Sequence, residues 1–256
     1  MPKFAANLSM LFTEMDFLDR FQAAADAGFK GVEYLFPYDY PAEDIKQRLD
    51  ANGLTQVLHN LPAGDWSAGE RGIACHPDRI DEFRDSVDTA IKYATTLGCK
   101  QVNCLAGIQP QGVSHDEARK TLIGNLRYAA DKLKDAGVLL IAEPINTRDI
   151  PGFFLNRTEQ ALGVFDEVGS DNLKLQYDIY HMQIMEGDLA PTLEKHQSRI
   201  AHIQIADTPG RHEPGTGEIN YPFLFAHLDR LGYDGWVGCE YKPRTTTREG
   251  LGWLDR

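Results

Sequence analysis

Short apolar runs alternate with amphipathic stretches along the whole chain, the runs lying near residues 4, 31, 55, 101, 138, 173, 200 and 236. They are too short for helices and are bounded by glycine, asparagine or proline, so they read as strands. The clearest is Val138-Leu139-Leu140-Ile141-Ala142, which leads into Glu143 and Pro144. A strand covered on both faces shows this unbroken apolar pattern, and such strands belong to parallel sheets flanked by helices. The intervening stretches carry helical spacing. Ala42–Asn52 forms one helix, and Ser114 with Glu117 forms a capping box that opens another, with Ile123, Leu126, Ala130 and Leu133 inward. Thr13 with Asp16 is a looser version of the same box, expected to start the first helix before Phe17, Leu18 and Phe21. Gly28, Gly53, Gly98, Gly137, Gly169 and Gly232 each stand just past a helical stretch. Glycine there closes a helix in the left-handed conformation. Eight strand–helix units predict a closed (β/α)8 TIM barrel, an α/β fold in which residues 1–256 form a single domain. An open doubly wound sheet fits less well, because Gly215-Thr216-Gly217 lacks a third glycine and does not directly follow a strand.

Four of the predicted strands end on an oxygen-bearing side chain: Glu143, Asp178, Gln204 and Glu240, at spacings of 35, 26 and 36 residues. Each spacing fits one strand and one helix. In a barrel of this kind the C-terminal strand ends carry the chemistry. Three carboxylates at one mouth repel one another unless a cation or a shared proton intervenes. An all-oxygen set suits Mg²⁺ or Mn²⁺ better than zinc. As an amide, Gln204 is the weakest ligand of the four and would serve equally as an orienting hydrogen bonder.

Composition narrows the class of partner. The net charge of −12 opposes a nucleic-acid backbone. Cys75, Cys99, Cys104 and Cys239 are scattered with no metal-knuckle spacing, the pattern of reduced thiols in a cytoplasmic protein. No apolar run approaches the ~18 residues of a membrane span, and no secretory leader is expected. A small-molecule substrate is the natural partner, and the sequence leaves room for a homo-oligomer.

Two predicted βα loops are long, Asn60–His76 and Asp207–Tyr221, and they contribute Arg71 and Arg211. Either guanidinium can grip a substrate carboxylate through a bidentate fork, and either can also lie on a solvated surface. His181, three residues after Asp178, is placed to polarise a substrate oxygen. His59 at a strand end could line the pocket, whereas His202 reads as structural. No Gly-x-Ser-x-Gly elbow is present, and no cysteine has a sequence-evident activating partner.

Beside these residues stand longer stretches: NLSMLF at 7–12, GVEYLFPYDY at 31–40, HNLPAGDWSAGERGIACHP at 59–77, EPIN at 143–146, QYDIYHMQ at 176–183, HEPGTGEINY at 212–221 and GWVGCEYKP at 235–243. Together they make practically the whole chain resemble the hydroxypyruvate isomerase family of xylose isomerase-like barrels. The resemblance implies interconversion of hydroxypyruvate and 2-hydroxy-3-oxopropanoate, with Glu143 and Glu240 as paired proton carriers. Related sugar epimerases use the matching Glu, Asp, His and Glu as metal ligands. Gln204 stands at the histidine position, a departure that implies looser metal binding. Isomerases of four-carbon 2-oxo acids resemble this family closely. An endonuclease IV-like phosphodiesterase shares the barrel but would need a richer metal cluster and a basic groove.

Overall fold

The structure, a computed structural model, describes residues 1–254. Its eight strands are β1 (Lys3–Asn7), β2 (Gly31–Glu33), β3 (Thr55–Asn60), β4 (Gln101–Cys104), β5 (Leu139–Ala142), β6 (Leu173–Asp178), β7 (Ile200–Ile205) and β8 (Trp236–Cys239). All neighbours pair in parallel, and β8 returns to β1, so the sheet closes as a TIM barrel. The helices are α1 (Arg20–Asp26), α2 (Ala42–Asn52), α3 (Ile80–Leu97), α4 (His115–Asp135), α5 (Thr158–Val168), α6 (Ile179–Met185), α7 (Leu189–His196) and α8 (Tyr221–Leu231). All six helix-ending glycines have positive φ, between +60° and +92°. Ser114 accepts a hydrogen bond from the Glu117 N–H, as the capping box requires. No helix among the described residues is long and apolar enough to cross a membrane.

Two elements differ from expectation. The helical unit after β6 is broken at Gly187-Asp188, both in the left-handed region, so α6 and α7 share one crossover while β8 is followed by a 3-10 turn at Glu249–Leu251. At the start of the chain Thr13 does not cap a helix. A 3-10 turn begins at Phe17, and Asp16 ahead of it makes no side-chain capping bond. The physical reason is a long-range tie. The Phe12 N–H donates to Thr247 Oγ1 at 2.6 Å and Glu14 accepts from the Thr247 N–H at 2.7 Å, which holds this segment against the other end of the chain.

The apolar core lies mainly between the outer face of the barrel and the helices, where Phe21, Phe83, Leu122, Leu126 and Phe165 meet Val102, Leu140, Leu175, Ile203 and Val237. Among the described residues a small apolar plug of Ala5, Val57, Leu58 and Ile141 fills the lumen, with Leu139, Ala201 and Trp236 packed against it. Above that plug the barrel interior is polar. Asn60 accepts from Asn103, and Asn103 donates to Glu143. Gln176 donates to both Glu143 and Gln204, Gln204 donates to Glu33, and Asn7 donates to Glu33. This chain of side chains visits seven of the eight strands. Gly238 on β8 leaves the space that Glu33 occupies, since a Cβ there would lie 2.3 Å from both carboxylate oxygens. Gly238→Ala is therefore expected to destabilise the fold by about 1–3 kcal/mol through overpacking. Thermal unfolding checks this, at roughly 2–4 °C of Tm per kcal/mol for a chain of this size.

Candidate active site

Each strand end delivers its side chain by a simple local device. Pro144 stops β5 from extending, which leaves Glu143 at the rim with its side chain directed inward. Asp178 closes β6 and caps α6, its Oδ1 accepting from the Tyr180 N–H at 2.8 Å. The same first turn of α6 carries His181, so Asp178 and His181 are neighbours by helical spacing. Glu240 follows β8 directly. Arg211 comes from the loop after β7, which folds around one buried carboxylate. Asp207 accepts from the N–H groups of Thr208, Gly215, Gly217 and Ile219, all at 2.9–3.1 Å. Gly217 is required for that wrap, because a Cβ would lie 2.2 Å from the Thr208 carbonyl oxygen. Arg211 itself has φ +57° and is fixed on both sides, Lys242 N–H donating to its carbonyl and Asp207 N–H to that of His212, each at 2.7 Å.

These devices bring Glu143, Asp178, His181, Arg211 and Glu240 together. Arg211 Nη2 donates to Glu240 Oε2 at 2.6 Å and lies 3.5 Å from Asp178 Oδ2. His181 Nε2 is 3.4 Å from Asp178 Oδ2 and 3.7 Å from Glu143 Oε1. All are buried or nearly so, with the Arg211 side chain 17% exposed. Burial, together with the negative charges of Glu240 and Asp178, pushes the Glu143 carboxyl well above its usual range. Burial raises Asp178 to about 6 and Glu240 to about 8, each restrained by the Arg211 guanidinium. Burial opposes the charge on Arg211, but Glu240, Asp178 and Glu143 outweigh it and raise its pKa. These shifts favour a protonated carboxyl beside an ionised one, the condition for passing a proton back and forth. Glu143 Oε2 accepts from Gln176 at 2.8 Å and Asn103 at 3.3 Å, which leaves Oε1 facing the site.

Gln204 lies level with Asp178 in register and deeper than Glu240. It pairs in register with Gly238, two residues below Glu240. Its amide is occupied at both ends, Nε2 donating to Glu33 at 2.7 Å and Oε1 accepting from Gln176 at 2.6 Å. Both ends of the amide are thus engaged in the hydrogen-bond network. His202 beside it bonds Glu33 Oε2 at 2.7 Å inside the barrel, a structural role. His59 points the other way from Asn60, as alternation along β3 demands, and is buried outside the lumen. Arg71 is held on its own loop, its guanidinium 4.1 Å from the Trp66 ring centre and donating to the Trp66 and Glu70 carbonyls. The four cysteines are all buried and free.

The residues fit a divalent ion. Glu143 Oε1 and Asp178 Oδ2 are buried without a hydrogen-bond partner, an expensive arrangement unless a cation or substrate completes it. Glu143 and Asp178 offer ligand atoms within 4.8 Å of one another, with His181 alongside. Glu33, Asn103, Asn146 and Gln176 also belong to the hydrogen-bond network of the site without standing out in the sequence. Glu33 carried a signal, a carboxylate within a three-residue apolar strand, whereas the amides carried none.

Comparison with known proteins decides the family. The chain is 59% identical to hydroxypyruvate isomerase of Escherichia coli K12 over 255 residues, covering 100% of this chain and 99% of that protein. The chain belongs to the hydroxypyruvate isomerase family. Residues 21–256 also match the family model for xylose isomerase-like TIM barrels. A 2-oxo-tetronate isomerase of Cupriavidus necator is 52% identical, over 99% of this chain and 98% of its own. A crystal structure from Brucella melitensis described as AP endonuclease, family 2, superposes with a TM-score of 0.97 at 50% identity, covering 100% of this chain and 98% of that one. Within the hydroxypyruvate isomerase family, then, this chain carries two glutamates at one barrel mouth with an arginine bonded to one of them.

Proposed function

We propose that the chain is a cytoplasmic hydroxypyruvate isomerase, the whole of it one catalytic domain, interconverting hydroxypyruvate and 2-hydroxy-3-oxopropanoate. The observation that carries this reading is the end-to-end likeness to the E. coli isomerase, with Glu143 and Glu240 meeting at the barrel mouth. In the reaction one glutamate takes a proton from the hydroxymethyl carbon, giving an enediolate. The other returns a proton to the adjacent carbon. The hydroxyl proton passes between the two oxygens, with His181 at hand. Arg211 bonds Glu240 and not Glu143, which favours the carboxylate form of Glu240, so Glu240 is assigned as the first base and Glu143 as the first acid. Either role reverses with the direction of reaction. Such general acid–base help contributes about 10²–10⁴-fold.

Arg211 is the nearest cation for the substrate carboxylate, and Arg71 would join it from the loop after β3. Mg²⁺ or Mn²⁺ would be held by Glu143, Asp178 and Glu240. It would supply charge stabilisation to the enediolate oxygens. Because Gln204 is already engaged at both ends, the ion is expected to be loosely held. Dialysis against chelator should remove it readily, and titration calorimetry with Mn²⁺ should return micromolar or weaker affinity. Full activity after exhaustive chelation, with no ion by elemental analysis, would show that the side chains act without it.

Incubation with hydroxypyruvate in D₂O tests the function. Deuterium entry at carbon together with aldehyde formation, followed by NMR, is the expected result. The likeness to 2-oxo-tetronate isomerases makes the four-carbon 2-oxo acid the comparison substrate. A much higher kcat/KM for it would transfer the assignment to that substrate, and inertness toward both would end it.

A further inference from the structure

The loop after β5 places Asn146 directly behind His181. Asn146 Nδ2 lies 2.6 Å from His181 Nδ1. Which end of the amide faces the ring is decided by its other contacts. Asn146 Oδ1 accepts from the Asp149 backbone N–H at 2.8 Å, and a backbone N–H can only donate, so that end is the oxygen. The second hydrogen of Nδ2 is directed to Asp149 Oδ2 at 3.2 Å, and that carboxylate is itself held by the Tyr180 hydroxyl at 2.8 Å. Asn146 therefore donates to His181 Nδ1. A ring nitrogen that accepts carries no proton, so the single proton of His181 sits on Nε2. The nearest carboxylate oxygen to Nε2 suits a donor there: Asp178 Oδ2, buried and without a hydrogen-bond partner, lies 3.4 Å away. Arg211 Nη2 also lies 3.5 Å from Nε2 and would favour a lone pair there. That contact is long, and Arg211 is already committed to Glu240 at 2.6 Å, so the 2.6 Å bond from Asn146 prevails.

We propose that Asn146 is a positioning residue that fixes His181 as the Nε2–H tautomer, so that His181 presents a hydrogen-bond donor to the substrate oxygen on which enediolate charge develops. This rests on the isomerase reading above and adds to it. A protonated Nε2 has no lone pair to give, so any ion is left to the carboxylate oxygens and His181 is kept for the substrate. Asp149 and Tyr180 form the outer brace of the same device.

The test uses the full-length protein labelled with ring-¹⁵N histidine, and long-range ¹H–¹⁵N spectra in which His181 is assigned by its loss in His181→Gln. The wild-type protein should show Nε2 protonated and Nδ1 bare. The opposite pattern, or protonation of both nitrogens, overturns the inference whatever the activity. Asn146→Asp replaces the donor by an acceptor of the same shape and should invert the tautomer. It should also lower kcat by about 10²-fold, the usual effect of losing one preorganised donor to a developing oxyanion, with KM little changed. An unchanged tautomer, or an inverted one with wild-type kcat, would remove Asn146 from the mechanism. If Asn146→Asp does not fold, the wild-type spectrum decides alone. Because that spectrum needs no turnover, failure of the isomerase assignment and failure of this inference give different results. Inert protein with Nε2–H loses only the substrate, whereas active protein with Nδ1–H loses only Asn146.

Discussion

Glu143→Gln and Glu240→Gln are each expected to lose about 10³-fold or more in kcat while remaining folded. The amide keeps the shape of the carboxylate and its hydrogen bonds to Gln176 or Arg211, but it cannot exchange a proton. The double variant should be little worse than either single one, because one missing carrier already halts turnover. Partial reactions separate the pair. A variant that retains the abstracting glutamate for a given substrate should exchange the carbon-bound proton with D₂O without forming product, and its counterpart should exchange nothing from that side. Stability should move the other way. Both carboxyls have folded pKa values raised by burial, above the unfolded carboxyl value. A raised carboxyl binds its proton more tightly when folded, so the wild-type protein loses stability as pH rises from the unfolded pKa through the folded one. Replacing either with a neutral amide should therefore raise Tm at pH 8 relative to wild type and make little difference near pH 4. Near wild-type kcat in either single variant would leave a one-base mechanism as the better account.

Arg211→Ala should be the most destabilising single change at the site. The guanidinium is the counter-charge for three buried carboxylates, and removing one partner of such a cluster costs about 3–5 kcal/mol. The loss should depend on pH. Arg211 holds the Asp178 and Glu240 carboxyls below the values that burial alone would give. Its stabilising effect is thus greatest when they are ionised, above pH 8, and fades as they protonate toward pH 4. Denaturant unfolding of both proteins across that range measures it, and a pH-independent difference would mean that Arg211 contributes packing alone. Activity should fall as well, by roughly ten- to a hundred-fold in kcat/KM for the lost charged contact. Arg211→Lys separates the two roles. It keeps the charge and hence most of the stability, but its single ammonium cannot fork onto a carboxylate.

What could be read from the sequence follows from how each feature is encoded. Strands buried on both faces announce themselves as apolar runs, and the residue that ends such a run stands out, which is why Glu143, Asp178 and Glu240 were visible. Gln204 was legible as a strand-end residue but not as to depth, since register with β8 places it two residues below Glu240 and register is a property of pairs of strands. Glu33 was hidden because β2 has only three residues and its partners, His202 and Gln204, lie 169 and 171 positions away. Asn146 stands in the sequence only as the last residue of the EPIN stretch. Its role depends on which end of an amide faces which neighbour, and nothing in a linear pattern encodes that. Thr13 failed as a cap for a related reason: Thr247, from the far end of the chain, outweighed a local preference.

The chain of amides and carboxylates inside the barrel also bears on how this protein can change over time. Apolar cohesion resides in the annulus between strands and helices, while the lumen is held largely by hydrogen bonds. An aliphatic lumen tolerates a shifted strand as long as volume is conserved. A wired lumen does not, because slipping one strand by one residue breaks a donor–acceptor match on each side of it. Substitutions inside this barrel should therefore succeed in matched pairs, such as Glu33 together with Gln204 or Gln176 together with Gln204, and rarely alone. The annulus has no such grammar. Thermal robustness could be tuned there, residue by residue, without disturbing the positions of Glu143 and Glu240.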